Sequence, residues 1–175
     1  MVDIRQCGTE QDRAAAARLM AELAAWDSAE TEKLGFRAED VLDFYYSSDD
    51  EALDGILPPS GLTLLGYAGS DVVGCIAFRH MQPDVCEMKR FYVRPDFRRG
   101  GFGGALISAL IEKARQAGYK VMRLETVKFM SGAIHLYEVM GFRRCQPYYD
   151  IPDIFRPITI FMDKDLRFER SLATA

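Results

Sequence analysis

The sequence predicts one mixed α/β domain whose sheet is mostly antiparallel, with a single parallel crossover. Three observations carry this expectation. Strand-like runs follow one another at Leu62–Ala68, Val72–His80 and Val85–Val93, the first two joined by Gly69-Ser70 and the second pair by a loop holding Pro83, as in a meander. A segment of helical period then separates the third run from a further strand at Val121–Thr126, and a helix between two strands of one sheet makes them parallel. Finally, 175 residues that are 49% apolar suffice for one core, and neither an internal repeat nor an interdomain linker divides residues 1–175.

The elements can be read in order. A short strand at Val2–Gln6 precedes Thr9, a helix N-cap with Asp12 three residues on. The run Ala14–Trp26 places Leu19, Met20 and Leu23 at helical spacing. Residues 27–54 then carry ten acids against Lys33 and Arg37, with a second helix expected over Glu39–Ser47 and a loop through Pro58-Pro59-Ser60. After the meander, Phe102, Ala105, Leu106, Ala109, Leu110 and Ala114 recur at three and four residues, and Gly118 sits where a helix cap belongs. A helix over Ser131–Met140 stops at Gly141, and strands are expected at Phe142–Cys145 and Ile158–Met162, leaving 164–175 as a tail. The order is βαα-βββ-α-β-α-ββ.

Composition excludes several classes. A net charge of −4 argues against general nucleic-acid binding. No apolar run approaches the ~18 residues that cross a bilayer, and the N-terminus lacks the basic flank and apolar stretch of a secretory signal, so a cytoplasmic protein without a membrane partner is expected. Cys7, Cys75, Cys86 and Cys145 are scattered and only His80 and His135 are available, so no metal site is expected and the cysteines read as reduced thiols.

The chemistry concentrates where a strand enters a basic, glycine-rich turn that opens a helix, from Val93 to Leu106. Glycines let backbone N–H groups converge, and the helix end adds partial positive charge, which together suit a phosphate or pyrophosphate. Five cations (Lys89, Arg90, Arg94, Arg98, Arg99) against the single acid Asp96 lie between Met88 and Arg99, a local excess in an acidic chain. A nucleoside-triphosphate loop would need Gly-Lys-Ser or Gly-Lys-Thr, which the sequence lacks. A dinucleotide turn fits poorly: Leu106 stands at its third glycine, and seven residues separate Val93 from Gly101.

A third design fits. Arg98-Arg99-Gly100-Gly101-Phe102-Gly103 matches the pattern Arg/Gln-x-x-Gly-x-Gly/Ala, and Ala133-Ile134-His135-Leu136-Tyr137-Glu138-Val139-Met140-Gly141-Phe142 carries the spacing A-x-x-x-Y-x-x-x-G-F. In both, with Glu87–Pro95 entering the turn, the chain resembles the GNAT superfamily of acetyl-CoA-dependent N-acetyltransferases over residues 62–163, whereas 27–60 show no such resemblance and read as a variable acceptor-side segment. Met130 stands where many members carry an asparagine that contacts the pantetheine arm.

The resemblance implies a six- to seven-stranded sheet with splayed central strands, acetyl-CoA as donor, and a small-molecule or peptide amine as acceptor, attacked directly in a ternary complex. It also implies a homodimer. Backbone groups near Phe91 and Val93 would meet the pantetheine arm, and the turn of Arg98, Arg99, Gly100, Gly101, Phe102, Gly103 and Gly104 would hold the pyrophosphate. Tyr137 resembles the superfamily's general acid, although a core tyrosine would show the same spacing. Glu87 occupies the position that carries the base in the histone-acetylating branch. Strand alternation puts it on one face with Lys89, Phe91 and Val93, where an ion pair with Lys89 or Arg123 is the other reading and water chains are the other base. A covalent route through Cys86 is the rival mechanism, and a non-catalytic acyl-CoA sensor the rival function. The acids of 27–54 suit a cationic amine or simply a solvated surface. Trp26, Phe44, Tyr45, Tyr46, Tyr148, Tyr149 and Phe155 are candidates for an acceptor pocket or for the core, with Tyr148 and Tyr149 preferred.

Overall fold

A computed structural model of the chain describes residues 2–46 and 53–167. Its elements are β1 (Asp3–Gln6), α1 (Glu10–Glu32), α2 (Ala38–Tyr45), β2 (Gly61–Ala68), β3 (Asp71–Gln82), β4 (Val85–Val93), α3 (Phe102–Gln116), β5 (Val121–Val127), α4 (Ser131–Val139), β6 (Arg143–Arg144) and β7 (Thr159–Asp165). The strands form one sheet in the order β1-β2-β3-β4-β5-β7-β6. Every neighbouring pair is antiparallel except β4 and β5, which the α3 crossover makes parallel.

Local chemistry accounts for the helix boundaries. Thr9 and Asp12 form a reciprocal capping box, Thr9 Oγ1 accepting from the Asp12 amide at 3.1 Å and Asp12 Oδ2 accepting from the Thr9 amide at 2.9 Å. From that start α1 runs six residues past Trp26, the expected end, and so takes Asp27 and Glu32 out of the acidic segment and into a helix. The end of α2 expected at Ser47 lies outside the described residues, as do Asp49, Asp50 and Glu51. Gly118 and Gly141, at φ +91° and +89°, end α3 and α4 in the left-handed conformation that favours glycine. The strand expected at Phe142–Cys145 shrinks to Arg143–Arg144, while β7 extends to Asp165, so Lys164 and Asp165 belong to the sheet and not to a tail.

Two apolar clusters sandwich the sheet. One joins Leu106, Leu110 and Ile134 of α3 and α4 to Ile76, Met88 and Val93. The other joins Leu19 and Leu23 of α1 to Leu65, Cys75 and Tyr92.

The alternation expected along β4 fails at one residue. Ala77 pairs with Lys89 but Cys75 pairs with Tyr92, so β4 spends one extra residue there, and Arg90 between them has φ +56°. This bulge resets the pleat. Glu87, Lys89 and Tyr92 share one face, and Met88, Phe91 and Val93 share the other, which corrects the expectation that Glu87, Lys89, Phe91 and Val93 face one way. The pairing of β4 with β5 covers only Val85–Glu87 against Val121–Arg123. Beyond it the two strands part, giving the splay that opens the middle of the sheet.

Candidate functional site

Two cavities meet in that opening. The larger, about 630 Å³, is a groove lined by Phe91, Tyr92 and Val93, by Arg98, Arg99, Gly101, Gly103 and Gly104 of the turn, and by Ser131, Gly132, Ala133 and Leu136 at the start of α4. The smaller, about 80 Å³, lies between the parted strands and is lined by Met88–Phe91 and Leu124–Val127 together with Asp27, Tyr45, Tyr46 and Tyr137. Leu23, Phe91, Phe129 and Met130 line both, so they form the wall between groove and pocket.

The turn is built to present backbone. Gly101, at φ +82°, is the N-cap of α3 and supplies no side-chain cap, so the first-turn amides of the helix are left for another acceptor. A Cβ on Gly103 would come within 2.9 Å of Leu136 Cδ2, so the glycine lets α3 and α4 close on each other beside the groove. Arg98 is held by Nε donating to the Val93 carbonyl at 3.0 Å, with its guanidinium 5.5 Å from the Trp26 ring centre. Of the expected turn residues, Gly100 and Phe102 line neither cavity; the Phe102 ring is 8% exposed and packs in the core, because the first inward position of α3 faces the sheet.

Tyr137 is brought to the pocket by α4, whose last turn is closed by the Phe142 amide donating to the Tyr137 carbonyl at 2.9 Å. The side chain is 5% exposed, its ring 5.8 Å from Phe91 and 5.9 Å from Phe142. Burial, with a smaller push from the Asp27 charge, raises the phenol above its usual range, so it holds its proton at neutral pH.

Glu87 is elsewhere. It is fully buried and lines neither cavity. Its Oε2 accepts from Arg79 Nε at 2.9 Å and its Oε1 from Tyr148 Oη at 2.9 Å, with Lys89 Nζ 3.9 Å away. The partner is therefore Arg79, one strand over, and not Arg123. Tyr148 and Tyr149 likewise line neither cavity: Tyr149 donates to Glu125 Oε2, and both rings pack against Phe161. Phe44 and Phe155 stack on each other at 5.0 Å away from the opening. Cys86 is fully buried on the face opposite Glu87, with its thiol pushed up to about 12 by burial, which removes it as a nucleophile.

Sequence reasoning did not single out Asp27, Glu125 or Phe129 as pocket residues. Asp27 is strongly perturbed. Burial pushes its carboxyl up to about 6, against the opposing effects of the Tyr46 hydroxyl and the Arg90 charge. The density of acids in 27–54 was the only sequence signal that pointed to it. Among the described residues, no cluster of His, Cys, Asp and Glu is arranged to hold a metal ion, and no helix is long and apolar enough to cross a membrane.

Comparison with known proteins agrees with this geometry. The profile of the Acetyltransferase (GNAT) family matches residues 20–142. An uncharacterized N-acetyltransferase of Schizosaccharomyces pombe is 36% identical over 54% of the chain, and the chain spans 60% of that relative's length. The IAA acetyltransferase of Azospirillum brasilense is 31% identical over 71% of the chain and 82% of its own length. A solved structure from Klebsiella pneumoniae, assigned as an acyl-CoA N-acyltransferase, superposes with a TM-score of 0.72 at 28% identity, covering 95% of this chain and 98% of that one.

Proposed function

The chain belongs to the Acetyltransferase (GNAT) family, and from that membership we propose that it moves an acetyl group from acetyl-CoA to a primary amine on a small molecule or peptide. The observation that carries this reading is the junction of the two cavities. A long groove bordered by a glycine turn shares the wall of Phe91 and Met130 with a small pocket lined by carboxylates and a protonated phenol.

The residues suit such a donor. The open amides after Gly101 can donate hydrogen bonds to the oxygens of a pyrophosphate, and Arg98 and Arg99 supply positive charge beside them. Phe91 and Val93 border the groove where an extended arm would run. Acetyl-CoA supplies a thioester carbonyl carbon for attack by an amine. At Tyr137 the chain holds a proton on Oη that can pass to a departing thiolate. Glu87, closed off from both cavities, accepts from Arg79 and Tyr148, so we assign it the role of a structural anchor and not proton transfer.

Thermal unfolding with acetyl-CoA, CoA and, as control, NAD(P) tests the reading. A ligand at about a hundred times its dissociation constant adds ~2.7 kcal/mol. Stabilisation by the CoA species alone is expected; no shift with saturating CoA would refute the donor. Binding without thiol release across a broad amine panel would instead identify a sensor.

A further inference from the structure

Asp27 lines the small pocket, and one of its carboxylate oxygens is unsatisfied among the described residues. Asp27 Oδ2 accepts from Tyr46 Oη, but Oδ1 is buried with no hydrogen-bond partner among the described residues. Leaving a carboxylate oxygen so costs stability unless a ligand supplies the missing donor. Glu125, across the pocket, differs, since it accepts from Tyr149 Oη and lies 3.6 Å from Lys89 Nζ. The groups lining the pocket with Asp27 come from every wall: Tyr45 at the end of α2 and Tyr46 just past it, Arg90 and Lys89 on β4, Glu125 on β5 and Tyr137 on α4. The rest of the wall is largely apolar, including Leu23, Val41, Leu124 and Phe129.

We propose that Asp27 docks the acceptor's primary ammonium group through Oδ1 and takes its proton. This rests on the acetyl-transfer reading above and adds the base and the acceptor class. A space of about 80 Å³ takes an ammonium and its first carbons, which favours unbranched primary amines over tertiary or ring-bearing nitrogens. Asp27 reaches the pocket on α1 and Tyr137 on α4, from the two opposite faces of the sheet, so base and acid approach the same space through the gap between β4 and β5.

The proton and electron balance is simple. An N–H bond of the ammonium breaks and an O–H bond forms at Asp27 Oδ1, leaving the nitrogen lone pair to form the new C–N bond. As the thioester C–S bond breaks, its electron pair stays on sulfur. Sulfur then receives the second proton shed by nitrogen, relayed through Tyr137 Oη. Asp27 returns the first proton to water after the amide leaves. Burial leaves the Asp27 carboxyl at about 6, so it is ionised at neutral pH and still basic enough to accept a proton.

The test uses the full chain, acetyl-CoA and n-butylamine. Carboxyl-carbon NMR follows the Asp27 titration with and without saturating n-butylamine at constant ionic strength; a docked ammonium lowers the midpoint. Thiol release gives the pH profile of kcat/KM for the wild type, Asp27→Asn and Asp27→Glu. The expected result is a loss of about tenfold or more in Asp27→Asn with disappearance of the acid limb, partial rescue in Asp27→Glu, and unchanged calorimetric affinity for acetyl-CoA. A midpoint that n-butylamine does not move, or an Asp27→Asn variant with wild-type rate and acid limb, overturns the proposal. Failure of the wild type to bind acetyl-CoA would instead sink the acetyl-transfer reading, while the NMR titration still decides whether Asp27 docks an amine.

Discussion

The Phe91 ring lies 5.8 Å from the Tyr137 ring, so the strand that borders the groove touches the helix that carries the buried phenol. Both residues line the small pocket, and Phe91 alone of the two also lines the groove. A change at Tyr137 can therefore be made without disturbing the groove, provided the ring stays.

Tyr137→Phe keeps both ring contacts and removes only the hydroxyl. Acetyl-CoA affinity measured by calorimetry is expected to stay the same while kcat falls by about a hundredfold, the low end for loss of a general acid. Turnover at the wild-type rate would return Tyr137 to a purely structural role.

Gly101→Asp places a carboxylate at the entrance of α3 and forces a side chain into φ +82°. The charge opposes a bound pyrophosphate, and the backbone conformation costs about 1 kcal/mol. Affinity for acetyl-CoA is expected to drop at least about tenfold while circular dichroism remains that of the folded protein. Unaltered affinity would mean that the pyrophosphate does not sit at this turn.

Glu87→Gln leaves the Arg79 guanidinium beside a neutral amide in a place water does not reach well. Removing one partner of a buried ion pair costs about 3 kcal/mol, readable as a lower urea midpoint. If the midpoint holds and activity vanishes, the anchor role assigned to Glu87 is wrong and proton transfer becomes its better description.

Asp27 predicts an unusual pH dependence of stability. Its carboxyl is raised from 3.8 to about 6 in the folded protein, so the folded state binds the proton more tightly than the unfolded chain. The protonated group therefore favours folding below the unfolded value, and this advantage is lost as pH rises from about 4 to about 6, by about 3 kcal/mol in full. Asp27→Asn carries no such charge. Its melting temperature should exceed that of the wild type above about pH 6, and the difference should shrink toward pH 4. A difference independent of pH would show that Asp27 is not desolvated.

What the sequence revealed was what is local in it. Gly101, Gly103 and Arg98 sit in one turn, and their spacing alone placed them together beside the groove. The capping box of Thr9 and Asp12 was equally legible, being four residues long. Asp27 was hidden because its meeting with Arg90 and Glu125 depends on how α1 crosses the sheet, and because a segment dense in acids masks a single buried one. The face of Phe91 was misread since Arg90, not a glycine, takes the positive φ that shifts the pleat, and such a residue gives no warning. Tyr148 met Glu87 across 61 residues of chain, a contact no period encodes.

The parting of β4 from β5 also determines how the molecule comes apart. In the sheet ladder, the three pairs from Val85–Val121 to Glu87–Arg123 join β1–β4 to β5, β7 and β6. That seam is short, so amide hydrogen exchange should find it opening more readily than the ladders on either side. An extended molecule laid along the gap would act as extra rungs, tying the two parts into one cooperative unit. Occupancy would then be written in exchange rates far from the site, along the strands it reconnects.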